Sequence, residues 1–226
     1  MLRNALAILA LLTAIALPPA AVAQDQTPPI KIACVGDSIT FGAAIKDRKQ
    51  NCYPAQLQGL LGETYDVHNF GVNGATLLKK GDKPYWKLKA FQAAQDLQPD
   101  IVIIKLGTND TKPQNWKHKD DYKPDYIEMI QTFQKLDSKP KIYLCYPAPV
   151  VGEQWGISDK TVREEVIPLV DAIAKETKRP IIDLYAPLKD KPELLPDKVH
   201  PNAEGAGVIA KTIAEVLTAK TAAKTK

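Results

Sequence analysis

The 226-residue chain is 45% hydrophobic and 25% charged, with a formal net charge of +4. That length fits one domain with a substantial core, and a charge this mild, with its lysines scattered, argues against nucleic acid as a partner. Three cysteines, Cys34, Cys52 and Cys145, are too few and odd in number for a disulfide framework, and no CxxC or HxxxH spacing suggests a metal or other cofactor.

In chain order, Arg3 is followed by an apolar stretch from Ala5 to Leu17 and by Ala21-Val22-Ala23. A positive start, a short apolar segment and small residues form the pattern of a secretory signal peptide. Residues 1–23 are expected to be removed by cleavage after Ala23, which places the protein in the periplasm or outside the cell. The apolar stretch is short for a membrane span, which needs ~20 residues; a retained N-terminal anchor is the alternative. Removal of these 23 residues takes away Arg3 and leaves 203 residues at a charge of +3. No second long apolar run follows, so no membrane association is expected of the mature form. Residues 24–218 are expected to form the domain, and 219–226 a disordered basic tail.

Short apolar runs then recur as predicted strands: Ile30 to Val35, Tyr65 to Asn69, Ile101 to Leu106 (interrupted only by Lys105), Lys141 to Tyr146 and Ile181 to Leu184. Runs of this kind fit strands buried on both faces. Helical spacing appears between them, in Tyr53 to Leu61, Lys89 to Leu97, Pro124 to Leu136, Thr161 to Thr177 and Ala203 to Leu217. This alternation predicts an α/β fold with a mostly parallel sheet. Cys34 and Cys145 fall inside strands and read as small buried hydrophobes.

Parallel sheets place ligands at the carboxyl ends of their strands. Ser38, Gly74 and Asn109 each follow a predicted strand, so they are expected on one rim. Ser38, in Gly36-Asp37-Ser38, sits at a strand-to-helix turn. Such a serine can be an exposed nucleophile whose own N–H stabilises an oxyanion, or an ordinary helix cap. Asp37 is expected to tie down the turn. A base must come from three histidines. His68 lies in a strand and His118 in a polar loop. His200 lies in Asp197-Lys198-Val199-His200, where Asp197 can accept from Nδ1–H and leave Nε2 to take the Ser38 proton. Gly74 offers a backbone N–H that nothing shields, and Asn109 a side-chain NH₂, as further oxyanion donors; simple turns are the alternative for both. Asp110 is expected to brace the Asn109 loop.

Gly36-Asp37-Ser38, Gly74, Gly107-Thr108-Asn109-Asp110 and Asp197-Lys198-Val199-His200 together resemble the four blocks of the SGNH (GDSL-type) hydrolase family. The resemblance spans nearly all of the chain after Ala23, with Ile39 where the GDSL lettering has leucine. It implies a three-layer α/β/α sandwich, a flavodoxin-like parallel five-stranded sheet of order 2-1-3-4-5, and ester hydrolysis without a metal. Its roles carry over as Ser38 nucleophile, Gly74 and Asn109 oxyanion donors beside the Ser38 N–H, and Asp197 and His200 completing the triad. The stretches Gly36 to Gly42, Tyr53 to Leu57 and Asn69 to Thr76 are similar to exported bacterial proteins of a sialate O-acetylesterase-like subgroup, related to other carbohydrate acetylesterases. The expected substrate is an acylated carbohydrate or other small ester; a lipolytic esterase, lysophospholipase or thioesterase is the alternative. Trp86, Trp116 and Trp155 fall in predicted loops. They are candidates for stacking on a sugar, or for pinning their loops to the core.

Overall fold

The computed structural model describes residues 27–222. The expected signal peptide and its cleavage site lie outside the described residues. Four longer strands form first: β1 (Ile30–Gly36), β2 (Tyr65–Gly71), β3 (Ile101–Lys105) and β4 (Lys141–Cys145). A two-residue hairpin follows, β5 (Glu153–Gln154) and β6 (Ile157–Ser158), and then a short strand β7 (Ile181–Ile182). The sheet is parallel throughout, in the order β2-β1-β3-β4-β7. This is the expected order 2-1-3-4-5, because the hairpin stands outside the sheet.

Helices cover both faces. They are α1 (Ser38–Phe41), α2 (Arg48–Asn51), α3 (Tyr53–Leu61), α4 (Lys89–Asp96), α5 (Pro113–Trp116), α6 (Tyr122–Gln134), α7 (Asp159–Thr161), α8 (Ile167–Thr177) and α9 (Ala203–Ala222). Strand residues alternate between two cores, as the two-residue period of a strand requires. Ala33, Val35, Val102, Ile104 and Leu144 pack with Phe91 of α4, Tyr126 and Phe133 of α6 and Val170 and Ile173 of α8. Ile32, Cys34, Ile103, Tyr143 and Cys145 pack with Tyr53 and Leu57 of α3 and Ile209 and Ile213 of α9. The α/β/α sandwich therefore follows from strands that are apolar on both sides.

Three details depart from the sequence expectation. The helix predicted over Thr161 to Thr177 is interrupted by a π-type turn at Val162–Val166. Pro168, at the start of α8, has no N–H to give the carbonyl four residues earlier, and a wider turn relieves the loss. β2 continues past Asn69 to pair Gly71 with Gly36. Gly71 is needed there because a Cβ would lie 2.1 Å from the Phe41 amide nitrogen; it permits α1 to close against β2. Finally, α9 runs to Ala222, so residues 219–222 of the expected tail are helical, and 223–226 lie outside the described residues.

Candidate active site

The rim at the carboxyl ends of β1 and β3 carries the first parts. β1 ends at Gly36, and Asp37 caps α1 by accepting from the Ile39 amide at 2.9 Å. This Asp cap fixes Ser38 as the first residue of a single helical turn. β3 ends at Lys105, and the chain turns through Gly107 into Asn109. The two turns share one buried connection. The Lys105 ammonium donates to Asp37 Oδ1 and Oδ2 at 3.0 and 2.9 Å and to Thr108 Oγ1 at 2.8 Å. Lys105 was visible only as the one charge in an aliphatic run; its function is to couple the Ser38 turn to the Asn109 turn.

Ser38 Oγ lies 2.8 Å from His200 Nε2, and His200 Nδ1 lies 2.7 Å from Asp197 Oδ2. The other carboxylate oxygen of Asp197 accepts from the backbone amides of Val199 (3.0 Å) and His200 (2.6 Å). Lys198 between them adopts a positive φ of 72°, which curls the four residues so that carboxylate and imidazole meet. Burial raises the Asp197 pKa, but these donors from His200 and Val199 more than offset it, and the carboxyl is held below its ordinary value. An anionic Asp197 fixes the imidazole tautomer with its proton on Nδ1, leaving Nε2 to accept from Ser38.

Gly74 has a φ of 75°, a conformation a side chain would strain, and it turns the chain after β2 toward the same rim. Asn109 is buried, and its Nδ2 donates one hydrogen to the Ala75 carbonyl at 3.1 Å. The second hydrogen of that NH₂ remains for a group in front of it. Asp110 joins the two segments by accepting from the amides of Leu77 (3.0 Å) and Leu78 (2.8 Å). Burial pushes its carboxyl up to about 7, although both amide bonds act the other way. Asp110 thus braces the Asn109 loop as expected, and does so from beneath the segment after Gly74.

Ser38, Gly74, Asn109 and His200 line one cavity of about 280 Å³. A wider groove of about 500 Å³, between Lys119 and Leu169, holds no nucleophile. The smaller cavity is where the chemistry gathers. Trp155 also lines it and is 57% exposed, its ring centroid 5.7 Å from that of His200. Trp86 and Trp116 do not join it. Trp86 Nε1 donates to the Leu77 carbonyl at 2.8 Å and packs edge-on to Phe91. Trp116 is buried, donates to Glu165 Oε2 at 2.9 Å and packs edge-on to Tyr122. Both pin loops to the core, the alternative expected for them, and neither is among the residues that line this cavity. His68 pairs with Asp66 at 2.8 Å on the edge strand, and His118 is half-buried after α5; neither is among the residues that line the Ser38 cavity.

Sequence reasoning missed the β5–β6 hairpin that carries Trp155. Trp155 and Gly156 are its two central residues, both at positive φ (53° and 77°), as a primed hairpin turn requires. Val150 and Ile157 pack on Val199 beside His200, and the Val151 amide donates to the Lys198 carbonyl at 2.8 Å. On its other side the Ser158 amide donates to Thr111 Oγ1 at 3.3 Å. The hairpin therefore bridges the His200 loop and the Asn109 loop. Among the described residues no group of three or more His, Cys, Asp or Glu side chains could hold a metal ion. No helix among them is long and apolar enough to cross a membrane.

The arrangement has the parts needed to activate a hydroxyl and hold a developing oxyanion. Residues 34–208 match the model of the GDSL-like Lipase/Acylhydrolase family. The chain belongs to this family. This GDSL-family hydrolase is similar to an acetylxylan esterase of Xylanibacter ruminicola, at 41% identity over 206 residues. The alignment covers 83% of this chain and 43% of that protein, so the chain spans less than half the length of that relative. The GDSL-family fold recurs in a carbohydrate acetylesterase from Sinorhizobium meliloti, with a TM-score of 0.67 at 21% identity over 84% of this chain and 99% of that one. An aryl esterase of M. smegmatis gives a TM-score of 0.68 at 19% identity, with the same coverage of both chains.

Proposed function

We propose that this GDSL-family hydrolase is an exported serine esterase that removes small acyl groups, acetyl foremost, from carbohydrates. The observation that carries the reading is the continuous relay from Ser38 Oγ through His200 to Asp197, at 2.8 and 2.7 Å, opening onto the cavity. Ser38 Oγ attacks the ester carbonyl carbon as its proton passes to His200 Nε2. Asp197 holds the imidazole and stabilises the imidazolium. The tetrahedral oxyanion takes hydrogen bonds from the Ser38 and Gly74 amides and from Asn109 Nδ2. Collapse breaks the bond to the alcohol oxygen, which leaves with the proton from His200. Water, deprotonated by the same imidazole, then attacks the acyl-Ser38 carbonyl; the acyl–Oγ bond breaks, His200 returns the proton to Ser38 Oγ, and the carboxylic acid departs.

A cavity of about 280 Å³ favours a small acyl group. The likeness to an acetylxylan esterase and the exposed Trp155 beside His200 favour a sugar as the alcohol. Export rests on the signal-like residues 1–23. The test is a hydrolysis panel of acetylated xylan, acetylated sialic acid, short p-nitrophenyl esters and lysophospholipid, run with the native protein and Ser38→Ala. Acetyl-saccharide turnover lost in the variant, with fluorophosphonate labelling of the native protein at Ser38 alone, supports the reading. Near-native turnover by Ser38→Ala overturns it.

A further inference from the structure

We infer that Asp159, held by Tyr185, is a positioning residue for the triad: it fixes the base of the hairpin segment and, through Val151 and Lys198, holds His200 against Ser38. This rests on the esterase reading above and adds to it two residues that lie outside the cavity lining.

The His200 loop needs support from outside itself. Lys198 stands between Asp197 and His200 at a φ of 72°, a conformation that persists only where the surroundings enforce it. Among the described residues, the backbone hydrogen bond that reaches residues 197–200 from a distant segment runs from the Val151 amide to the Lys198 carbonyl, at 2.8 Å. Beneath it Val199, fully buried, packs with Val150 and Ile157 in a cluster apart from the two cores of the sandwich. Both supports therefore come from the segment 150–158. That segment cannot hold its own shape, because its strands β5 and β6 are two residues each and an isolated hairpin is marginal even at greater length.

Asp159 closes the segment at its base. Its amide donates to the Gly152 carbonyl at 2.9 Å, and its Oδ1 accepts from the Val150 amide at 3.1 Å. Val151 is thus bracketed by two residues bonded to Asp159, which sets the direction of the amide that reaches Lys198. The carboxylate is held in turn by the Tyr185 hydroxyl, which lies 3.2 Å from Oδ1 and 3.0 Å from Oδ2. Tyr185 follows the last strand of the sheet, where Asp183 Oδ1 accepts from its amide at 2.8 Å and from that of Ala186 at 3.0 Å. Burial and the Asp159 carboxylate push the Tyr185 phenol up to about 12, so it remains a donor at neutral pH. Arg163 Nε, 3.9 Å from Oδ2 on a largely exposed side chain, adds little. The chain of support runs from β7 through Tyr185, Asp159 and Val151 to Lys198, and so to the imidazole.

The experiment reads turnover and the triad separately. In Asp159→Ala, kcat for p-nitrophenyl acetate should fall about tenfold or more, since a small misplacement of the base is costly. The downfield proton resonance of His200 Nδ1–H, bonded to Asp197 in the native protein, should broaden or vanish with it. Asp159→Asn keeps an oxygen for the Val150 amide and the Tyr185 hydroxyl, and should stay within about threefold of native kcat with the resonance retained. Urea unfolding shows that each variant is folded under the assay conditions. Native kcat in a folded Asp159→Ala, a loss of kcat that leaves the resonance unchanged, or an equal loss in Asp159→Asn overturns the inference. If Asp159→Ala does not fold, Tyr185→Phe decides: it leaves the Val150 and Gly152 bonds in place and should lower kcat and broaden the resonance in smaller measure, and no change in either overturns the inference. The resonance requires no turnover. If Ser38-dependent hydrolysis is absent from the native protein, the esterase reading fails while the resonance still tests Asp159; if hydrolysis is present and Asp159 is indifferent, only this inference fails.

Discussion

The ammonium of Lys105 lies within 3.0 Å of both carboxylate oxygens of Asp37, and neither side chain has any solvent exposure. One of those oxygens also caps the helical turn that begins at Ser38. Lys105→Met leaves Asp37 buried and unpaired, at an expected cost of about 3–5 kcal/mol. Asp37→Asn with Lys105→Met removes both charges while keeping a capping side chain, and should be less destabilised than the single variant. Urea unfolding measures this; additive losses in the double variant would show that the two residues do not act as a pair.

Asp110 makes stability depend on pH in a direction opposite to that of most carboxylates. Its folded pKa of about 7 lies above the ordinary value of 3.8. The native state therefore binds more protons than the unfolded chain between about pH 4 and 7, and stability falls as pH rises through that window. The full effect is of order 4 kcal/mol by the size of the shift. The difference in unfolding free energy between native protein and Asp110→Asn should shrink as pH rises from 4 to 7. A difference that is flat or grows with pH would contradict the assignment.

Asp197 has the opposite sign. Its carboxyl is held below 3.8, so its contribution is complete above that value and is lost as pH falls through the lowered folded pKa. Asp197→Asn should lower kcat by about 10³–10⁴-fold, because Asn no longer selects the tautomer with its proton on Nδ1. Near-neutral kinetics on p-nitrophenyl acetate read this directly, and a loss below tenfold would remove Asp197 from the triad.

The cavity beside Ser38 should discriminate by acyl length. For p-nitrophenyl esters kcat/KM should drop steeply from acetyl to longer chains, by roughly 1–3 kcal/mol for each methylene that does not fit. Trp155→Ala should raise KM more for an acetylated saccharide than for p-nitrophenyl acetate, which has no sugar to stack. A preference for octanoyl over acetyl would favour the lipolytic alternative.

Cys34, Cys52 and Cys145 are free and buried. Burial pushes the Cys34 thiol up to about 12, which leaves little reactive thiolate at neutral pH. Cys34 and Cys145 sit on β1 and β4, with β3 between them. Iodoacetamide should label none of the three rapidly in the native protein and all three in denaturant. Intact mass showing a Cys34–Cys145 bridge would overturn the strand order.

Local sequence determined the strands, the helices between them and the residues that meet at the rim. Apolar runs such as Ile101 to Leu106 can be satisfied only by burial on both faces, and that dictates helices on each side of the sheet. The turn chemistry of Asp37 before Ser38 and of Asp197 before His200 acts within four residues, so both units could be read without a structure. What local order could not reveal depends on contacts between distant segments. The role of Lys105 appears only when Asp37 and Thr108 converge on it. The tryptophans were indistinguishable as loop residues until packing buried Trp116 against Tyr122, tied Trp86 to Leu77 and left Trp155 open beside His200. The hairpin was hidden because Trp-Gly is an unusual pair for a turn with two positive φ values. Its stability comes from Val199 on one side and the Thr111 to Pro113 segment on the other. Short-range hydrogen bonds and hydrophobic periodicity are properties of neighbouring residues. The cavity wall formed by Trp155 and Lys112 exists only because tertiary packing brings together segments some forty residues apart.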